Sequence, residues 1–580
     1  MLEMIGIAIP AALFGMGYMF FATLIGSKIS GIIWRESFSD NADIRIMTSL
    51  FFGVLLHVAL SGAAIALFPS ALAWTFWALL LCVVLDWKNT FGFLKEARRP
   101  ILICSAFGLA CFTILLAFHY GAARGDTLFW TAYNLTGVSP GDSPQGLFQA
   151  QYLIHGASLA NMQDFAIFDR PFLGGIVTAA ALSAIGLMPS QSFGEYSPTE
   201  SLAYFALWIW INSSIVYAVL AIAKRYALGI AGCVICGIAL AAPSIVFNTI
   251  GVWPKLFGVY IILCASLLIF RRQWWLAAFV SGVSFLVHGS FLWAHLSLIG
   301  VLIIYILFWP SNSTNRYINA SAIALIGFAF PAFWFGADHF FGGQSPLQAY
   351  YIYGVSTDYG LHHSLEDMAQ GFYSSTSPQN LLILPFINLI KGLLPFETLG
   401  WLVSSSYSGP ILDWRSFAEA LFRTQFTRFL FPFCLTGGVI ALIGIKRNVS
   451  KNWHLSLALI VFVVLPLIPG MTLYRRDDHF IAPIMLFALI PIIIATALTL
   501  NKMTKNSMVI FASLIFTEYA VVYASRYPSV RYIDNNFEHY LWLTLVLLGA
   551  VYASTMIRVL SSTYAAHKLT QNKRYEADHA

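Results

Sequence analysis

Two aspartates between residues 119 and 201 have the chemistry and position of a catalytic base. Asp126 closely follows an apolar run that ends near residue 118, and Asp142 stands just before a predicted helix at 144–160. A carboxylate in such a position can take the proton from an attacking hydroxyl group. Asp142 is the first candidate and Asp126 the second. Asp142 also has a structural alternative, because an aspartate at this place can cap a helix that begins at Pro144.

Basic residues beside apolar runs form a second candidate set, suited to binding a phosphate group: Lys255, Arg475, Arg476 and Arg531. The guanidinium fork of arginine matches phosphate oxygens in a bidentate contact, and lysine supplies a compact charge. The alternative is that these residues only anchor helix ends among membrane headgroups.

Other charged residues support these two sets. Asp169 and Arg170 are adjacent, and we expect them to form a local ion pair that orients a turn. Asp478 and His479 follow the two arginines, and together with the first-choice base they could bind a divalent metal. His288 stands at a Gly-Ser break in a long apolar run, where it is either a functional group or a hydrogen-bonded structural histidine. Metal dependence stays open.

The composition of the chain predicts the environment that holds these residues. The chain has 580 residues, of which 59% are hydrophobic and 10% are charged. Soluble proteins carry about 25% charged residues, so this chain cannot cover a water-exposed surface. Its apolar runs are long and continuous, which predicts membrane-spanning helices and not an outer-membrane barrel. The net charge of +6 does not predict nucleic-acid binding, because the basic residues are scattered singly and in pairs.

Fifteen apolar runs lie near the roughly 20 residues that a bilayer requires. The run at 274–309 is too long for one helix, and we divide it near His288-Gly289-Ser290. Two further runs, 172–188 and 380–402, are ambiguous. We therefore expect an all-α polytopic membrane protein with about 13–15 transmembrane helices.

The distribution of lysine and arginine predicts the orientation in the membrane. If neither ambiguous run spans, 21 of the 32 basic residues fall on one side, in short connections and the C-terminal tail. We assign that side to the cytoplasm, which places the C-terminus inside and the N-terminus outside. Two large extracytoplasmic loops then lie at about 119–201 and 337–426.

The first of these loops is predicted to contain two helices. Residues 144–160 have apolar side chains near helical spacing, which predicts an interfacial amphipathic helix. Residues 172–188 predict a second helix, lying on or dipping into the outer leaflet.

The chain contains no GxxxxGK[ST] loop, no HExxH and no Rossmann fingerprint. An ATP-driven pump is therefore disfavoured.

Three segments of the first loop resemble a known superfamily: Gly141-Asp142-Ser143-Pro144, Gln151-Tyr152-Leu153-Ile154-His155-Gly156 and Asp169-Arg170-Pro171-Phe172-Leu173. In order and spacing they are similar to the acidic residue, the aromatic-and-alanine helix and the (H/R)PPL-like turn of GT-C glycosyltransferases. That superfamily includes protein O-mannosyltransferases and aminoarabinose transferases. The chain departs from the pattern in having one proline rather than two, and in placing the loop after the fourth span. The resemblance covers about residues 140–340.

The resemblance implies an inverting transfer of a sugar from a polyprenyl-phosphate carrier to an extracytoplasmic glycan, lipid or protein. A loop aspartate would be the base, and the active site would face outward from the plasma membrane, in bacteria the inner membrane. The implied organisation is additional transmembrane helices at 1–100, a GT-C-like core at 101–340, a second loop at 341–426, and C-terminal helices with a cytoplasmic tail at 427–580.

Two other functions remain open at this stage. A polysaccharide polymerase or ligase also has many spans and a large outer loop, but relies on arginine and histidine instead of a first-loop aspartate. A non-enzymatic transporter of lipid-linked glycans would carry charges buried in the middle of its spans, and the sequence has almost none.

Overall fold

The apolar runs fold into helices. A computed structural model of the chain describes residues 2–33, 42–121, 127–136, 144–155, 172–190, 195–270, 272–308, 316–340, 370, 374, 377–395, 414–427, 430–466 and 477–526. Every regular element in these ranges is helical, and they contain no strand. The expected class, an all-α polytopic membrane protein, is confirmed.

Eleven α-helices are described within the first 250 residues. In chain order they are α1 (Leu2–Ile33), α2 (Ala42–Leu67), α3 (Leu72–Leu85), α4 (Trp87–Gly121), α5 (Leu128–Thr136), α6 (Gln145–His155), α7 (Leu173–Ala184), α8 (Pro198–Asn212), α9 (Ile215–Tyr226), α10 (Ile230–Ala241) and α11 (Pro243–Ile250).

The described helices of the second half include several that are shorter than a membrane is thick. They are α12 (Lys255–Phe270), α13 (Trp274–Val287), α14 (Phe291–Phe308), α15 (Arg316–Phe340), α16 (Pro378–Leu393), α17 (Trp414–Thr427), α18 (Cys434–Asn448), α19 (Trp453–Leu459), α20 (Asp477–Leu500) and α21 (Lys505–Arg526). A π-helical segment, Ile460–Val464, continues α19 directly.

Seven helices within the described ranges are long and apolar enough to cross a membrane. Helices α8 and α9 together form one of these, Pro198–Tyr226. The pair α10 and α11, bent by 46°, would make an eighth. Six further apolar helices of 10–17 residues lie in the same ranges. The finer count of 13–15 spans remains a prediction.

Helix α8 lies at the centre of the bundle. Its first turn is fixed by a capping box, in which Ser197 Oγ accepts a hydrogen bond from Glu200 N and Glu200 Oε2 accepts one from Ser197 N, at 3.1 and 2.6 Å. Trp208 and Trp210 are almost completely buried. Helix α1 packs against this helix at Gly15, where a Cβ would collide with the Ala206 carbonyl.

Connections that were predicted to share one side of the membrane meet at one end of the bundle. Asn501 Nδ2 donates a hydrogen bond of 2.7 Å to the carbonyl of Tyr226, and its Oδ1 accepts one of 2.8 Å from Leu228 N. Lys502 Nζ donates to Asn448 Oδ1 at 2.9 Å. We call this end, defined by these five residues, the basic end.

The N-terminal helices show the same grouping of predicted cytoplasmic connections. Lys28 of α1 forms an ion pair with Asp86, in the turn between α3 and α4, and donates a hydrogen bond of 2.9 Å to Thr90 Oγ1. Arg45 is near the start of α2, and its guanidinium nitrogen Nη1 lies 3.6 Å from the carboxylate oxygen Oε2 of Glu96 in α4. These contacts join segments that the charge distribution had assigned to one side.

The two helices predicted in the first loop both form. Helix α6 corresponds to the predicted helix at 144–160. Helix α7 has 12 residues, about 18 Å, which is too short for a hydrocarbon core of roughly 30 Å. All of its residues except Ile176 are buried, so it packs inside the bundle. Small residues allow this, because a Cβ on Gly175 would collide with Gln149 of α6.

Candidate functional site

Most of the predicted catalytic and phosphate-binding residues fall in parts of the chain that the structure does not describe: Asp126, Asp142, Asp169, Arg170, Arg475, Arg476 and Arg531. Asp478 and His479 belong to the first turn of α20, and their side chains also lie outside the description. Lys255 and His288 are described. Both contact the same tryptophan, Trp253.

Lys255 is buried at the start of α12. Only 2% of it is exposed. Its ammonium nitrogen lies 2.7 Å from the centroid of the Trp253 indole ring, a cation–π contact. Helix packing therefore encloses the short connection that carries Lys255, and the role of Lys255 in phosphate binding stays a prediction.

A side chain from the central helix holds this connection in place. Asn212 Nδ2 donates a hydrogen bond of 2.9 Å to the carbonyl of Trp253, and its Oδ1 accepts one of 3.3 Å from Phe257 N. Phe257 N is one of the backbone groups that the first turn of a helix leaves without an intrahelical partner. Asn212 therefore caps α12 and fixes the position of Lys255.

Asn212 also sets the depth of Lys255 in the bundle. It is fully buried, and it stands 14 residues after Pro198, the first residue of α8. At a rise of 1.5 Å per residue, that places it about 21 Å along the helix axis from Pro198. Asn212 is not among the candidate residues predicted from the sequence. The available signal was an amide inside an apolar run at 202–223, where polar groups are commonly functional.

His288 occupies the predicted break between two spans, and this break is confirmed. The residue follows the last residue of α13 in extended conformation, with φ −160° and ψ 131°. Ser290 N donates a hydrogen bond of 3.2 Å to His288 Nδ1, and Ser290 Oγ lies 2.8 Å from the same nitrogen. Nδ1 is thus an acceptor, so Nε2 carries the proton of a neutral ring. The Trp253 ring meets the imidazole edge-on, with 6.3 Å between centroids.

The first-loop helices pack beside His288. Phe172, the residue before α7, packs against Phe285 and Leu292. These two residues stand three positions before and four positions after His288. Phe172 belongs to the sequence segment at 169–173 that resembles the GT-C turn. This described residue of the segment therefore lies beside the residues that flank His288.

Helix α6 completes this packing. Tyr152 stacks on Phe172, with 6.0 Å between ring centroids and 24° between ring planes. Burial raises the pKa of the Tyr152 phenol. His155 Nε2 lies 2.7 Å from the carbonyl of Pro189, and Gln151 Nε2 donates to the carbonyl of Glu195 at 2.7 Å. The connection before α8 is therefore held by polar side chains of α6.

The electrostatic potential at the start of α12 is positive. The first turn of a helix presents backbone N–H groups and the positive end of the helix dipole, which favours anions and disfavours cations. The amine of Lys255 lies at the same point and contributes a positive charge when it is protonated. A low-dielectric interior strengthens such fields. The arrangement is therefore suited to a phosphate or another anion.

The predicted metal site remains a prediction. Within the described ranges, no three His, Cys, Asp or Glu side chains lie together as metal ligands would. The groups that the sequence offered for a metal, Asp142, Asp478 and His479, all lie outside the described side chains.

The chain matches no protein-family model, no curated protein and no solved structure. The GT-C resemblance rests on the three sequence segments of the first loop. The site rests on the geometry of Lys255, Asn212 and His288.

Proposed function

We propose that this chain is a GT-C-like glycosyltransferase of the plasma membrane. It moves a sugar from a polyprenyl-phosphate carrier to a glycan, lipid or protein on the extracytoplasmic side, and its basic end faces the cytoplasm. The membrane class of the protein, the three first-loop segments and the grouping of basic connections support this proposal.

The observation that carries the proposal is the buried ammonium of Lys255 at the start of α12. A polyprenyl-phosphate sugar must present an anionic phosphate inside the membrane boundary, and its leaving group gains negative charge during transfer. A fixed cation beside a helix N-terminus stabilises that charge without reorganising. Lys255 also lies in the region where the first-loop helices pack, near His288.

The proposed reaction is a single displacement. The oxygen of the acceptor hydroxyl bonds to the anomeric carbon while the bond from that carbon to the phosphate oxygen breaks, which inverts the anomeric centre. Asp142, or Asp126 in its place, takes the hydroxyl proton. The electron pair of the broken bond leaves on the carrier phosphate, where Lys255, Arg475 and Arg476 stabilise it.

The proposal is tested by neutralising the buried cation. In Lys255→Gln, turnover of a short-chain polyprenyl-phosphate sugar should fall about 10- to 150-fold. This is the rate change that corresponds to the loss of a charge-assisted hydrogen bond of about 1.5–3 kcal/mol. Lys502→Gln is the matched control, because Lys502 donates one hydrogen bond at the opposite end of the bundle. Its turnover should stay unchanged.

Folding is measured separately from turnover. Thermal unfolding and yield of each purified variant give the folded fraction, and turnover is expressed per folded molecule. If Lys255 only stabilises the fold, Lys255→Gln will lower the unfolding temperature and leave turnover per folded molecule intact. That result would remove the observation on which the proposed function stands.

A further inference from the structure

A cavity of about 840 Å³ lies at the basic end, far from the start of α12. Its walls come from α9, α14, α19, α20, the π-helical segment and the last part of α12. Ligand sites in proteins have volumes of roughly 300–1,000 Å³. The cavity is therefore large enough to hold a small ligand or the chain of a lipid.

Apolar side chains line the interior of this cavity. On α14 the lining residues recur at helical spacing, so one face of the helix forms the wall: Leu298, Val301, Leu302 and Tyr305. Seven residues of helix extend about 10 Å, well within the half-thickness of a hydrocarbon core of roughly 30 Å. Ile490 and Ile494 of α20 add further aliphatic surface. This depth and lining suit a hydrocarbon chain within one leaflet.

The rim of the cavity is basic and aromatic. Arg225 and Arg272 both line it, and both are exposed. Tyr226 and Trp274 stand beside them, as aromatic residues do at membrane interfaces. No aspartate or glutamate occurs among the described residues that line the cavity. Arginines at the rim of an apolar cavity match an amphiphile with an anionic head.

Two departures from regular backbone occur in the cavity wall. The π-helical segment Ile460–Val464 contributes Ile460 and Phe462 to the lining, and π-helical turns inside helices are frequent at functional sites. Arg272 has φ 61°, a conformation that is costly for a residue with a side chain. This conformation occurs in the turn that presents the Arg272 guanidinium at the rim.

We propose that this cavity binds one anionic phospholipid from the leaflet at the basic end. An acyl chain fills the space between α12, α14 and α20. The phosphate of the headgroup contacts Arg225 and Arg272, whose guanidinium forks suit phosphate oxygens. The proposal is independent of the proposed glycosyl transfer, because the start of α12 and this cavity lie at opposite ends of the same helix.

Lipid titration tests the proposal on the purified, delipidated full-length protein. Bound dioleoylphosphatidylglycerol or dioleoylphosphatidylcholine is counted by native mass spectrometry. The wild type should bind one phosphatidylglycerol more tightly than phosphatidylcholine. In Arg225→Gln/Arg272→Gln, the affinity for phosphatidylglycerol should fall about 30-fold, the combined effect of two basic residues at a membrane surface.

A matched control separates a specific site from general attraction to anionic lipid. Lys446→Gln/Arg447→Gln removes the same charge at the end of α18, from two exposed residues that do not line the cavity. Its affinity for phosphatidylglycerol should equal that of the wild type. Equal losses in both double variants would overturn the proposal.

A second variant tests the acyl chain. Ala221→Phe places a ring in the cavity and leaves both arginines in position, and it should abolish tight binding of phosphatidylglycerol. Retained binding would overturn the proposal.

Tighter binding of a short-chain polyprenyl phosphate than of phosphatidylglycerol would also overturn it, and would identify a carrier lipid as the occupant. A wild type that binds no phospholipid, as expected if the predicted span at about 540–560 fills the cavity, would overturn it as well.

Discussion

Asn212 donates a hydrogen bond of 2.9 Å to the backbone carbonyl of Trp253, 41 residues further along the chain. This bond ties the middle of the central span to the connection that carries Lys255. The same amide caps α12 through Phe257 N. One buried side chain therefore determines where the ammonium of Lys255 lies.

Asn212→Leu should lower both stability and turnover. The change leaves a buried carbonyl and a buried N–H without their side-chain partner, at a cost of about 1–3 kcal/mol of unfolding free energy. Turnover per folded molecule should also fall, because Lys255 loses its fixed position. Thermal unfolding in detergent and turnover on quantified protein measure the two effects.

Asn248→Leu is the control for this substitution. Asn248 is also buried, but its amide donates to the carbonyl of Ser244 four residues earlier in the same helix. Its replacement should leave turnover per folded molecule at the wild-type value. Equal losses of turnover in the two variants would contradict a positioning role for Asn212.

Asp142→Asn should abolish most of the transfer while preserving the fold. An amide can still cap a helix, whereas it cannot accept the proton, so transfer should drop by roughly 10²–10⁴-fold. Activity is measured with a synthetic polyprenyl-phosphate sugar, and carrier-lipid binding is measured separately. If Asp142→Asn is active and Asp126→Asn is inactive, the role of base belongs to Asp126.

Arg475→Gln and Arg476→Gln should each slow transfer by about 10- to 150-fold if these residues stabilise the leaving phosphate. Replacement by lysine should restore only part of the rate, since the charge remains but the bidentate fork is lost. Arg447→Gln, at the basic end, should have no effect. Lower yield with unchanged turnover in both glutamine variants would instead indicate membrane anchors.

Residues 172–188 should not cross the bilayer. Single cysteines at positions 140 and 195 should then react equally with a membrane-impermeant reagent added from outside, in a background in which the exposed Cys82 is replaced by serine. A cysteine at position 228, which is 76% exposed at the basic end, should be protected. Labelling at 140 with protection at 195 would overturn the proposed topology.

The membrane class, several helices and the grouping of connections follow from the sequence alone. A low content of charged residues and runs of about 20 apolar residues are local properties of the sequence. In a bilayer such runs form helices, because a helix pairs all the backbone N–H and C=O groups that have no water to bind. The break at His288-Gly289-Ser290 and the helix at 144–160 were predictable for the same reason. The meeting of basic connections at one end follows from the alternation of helices that cross a membrane.

Only the tertiary structure decided which side chains are enclosed. Lys255 stands in a short connection, and only the packing of the helices buries it against Trp253. The sequence predicts that α7 lies on or dips into the outer leaflet, but it does not show that the small residues of α7 let it pack inside the bundle. Sequence spacing shows which face of a helix is apolar, but not which neighbour covers that face. Contacts such as Asn212–Trp253 and the cavity beside Arg225 and Arg272 join residues far apart in the chain, so they arise only when the helices pack together.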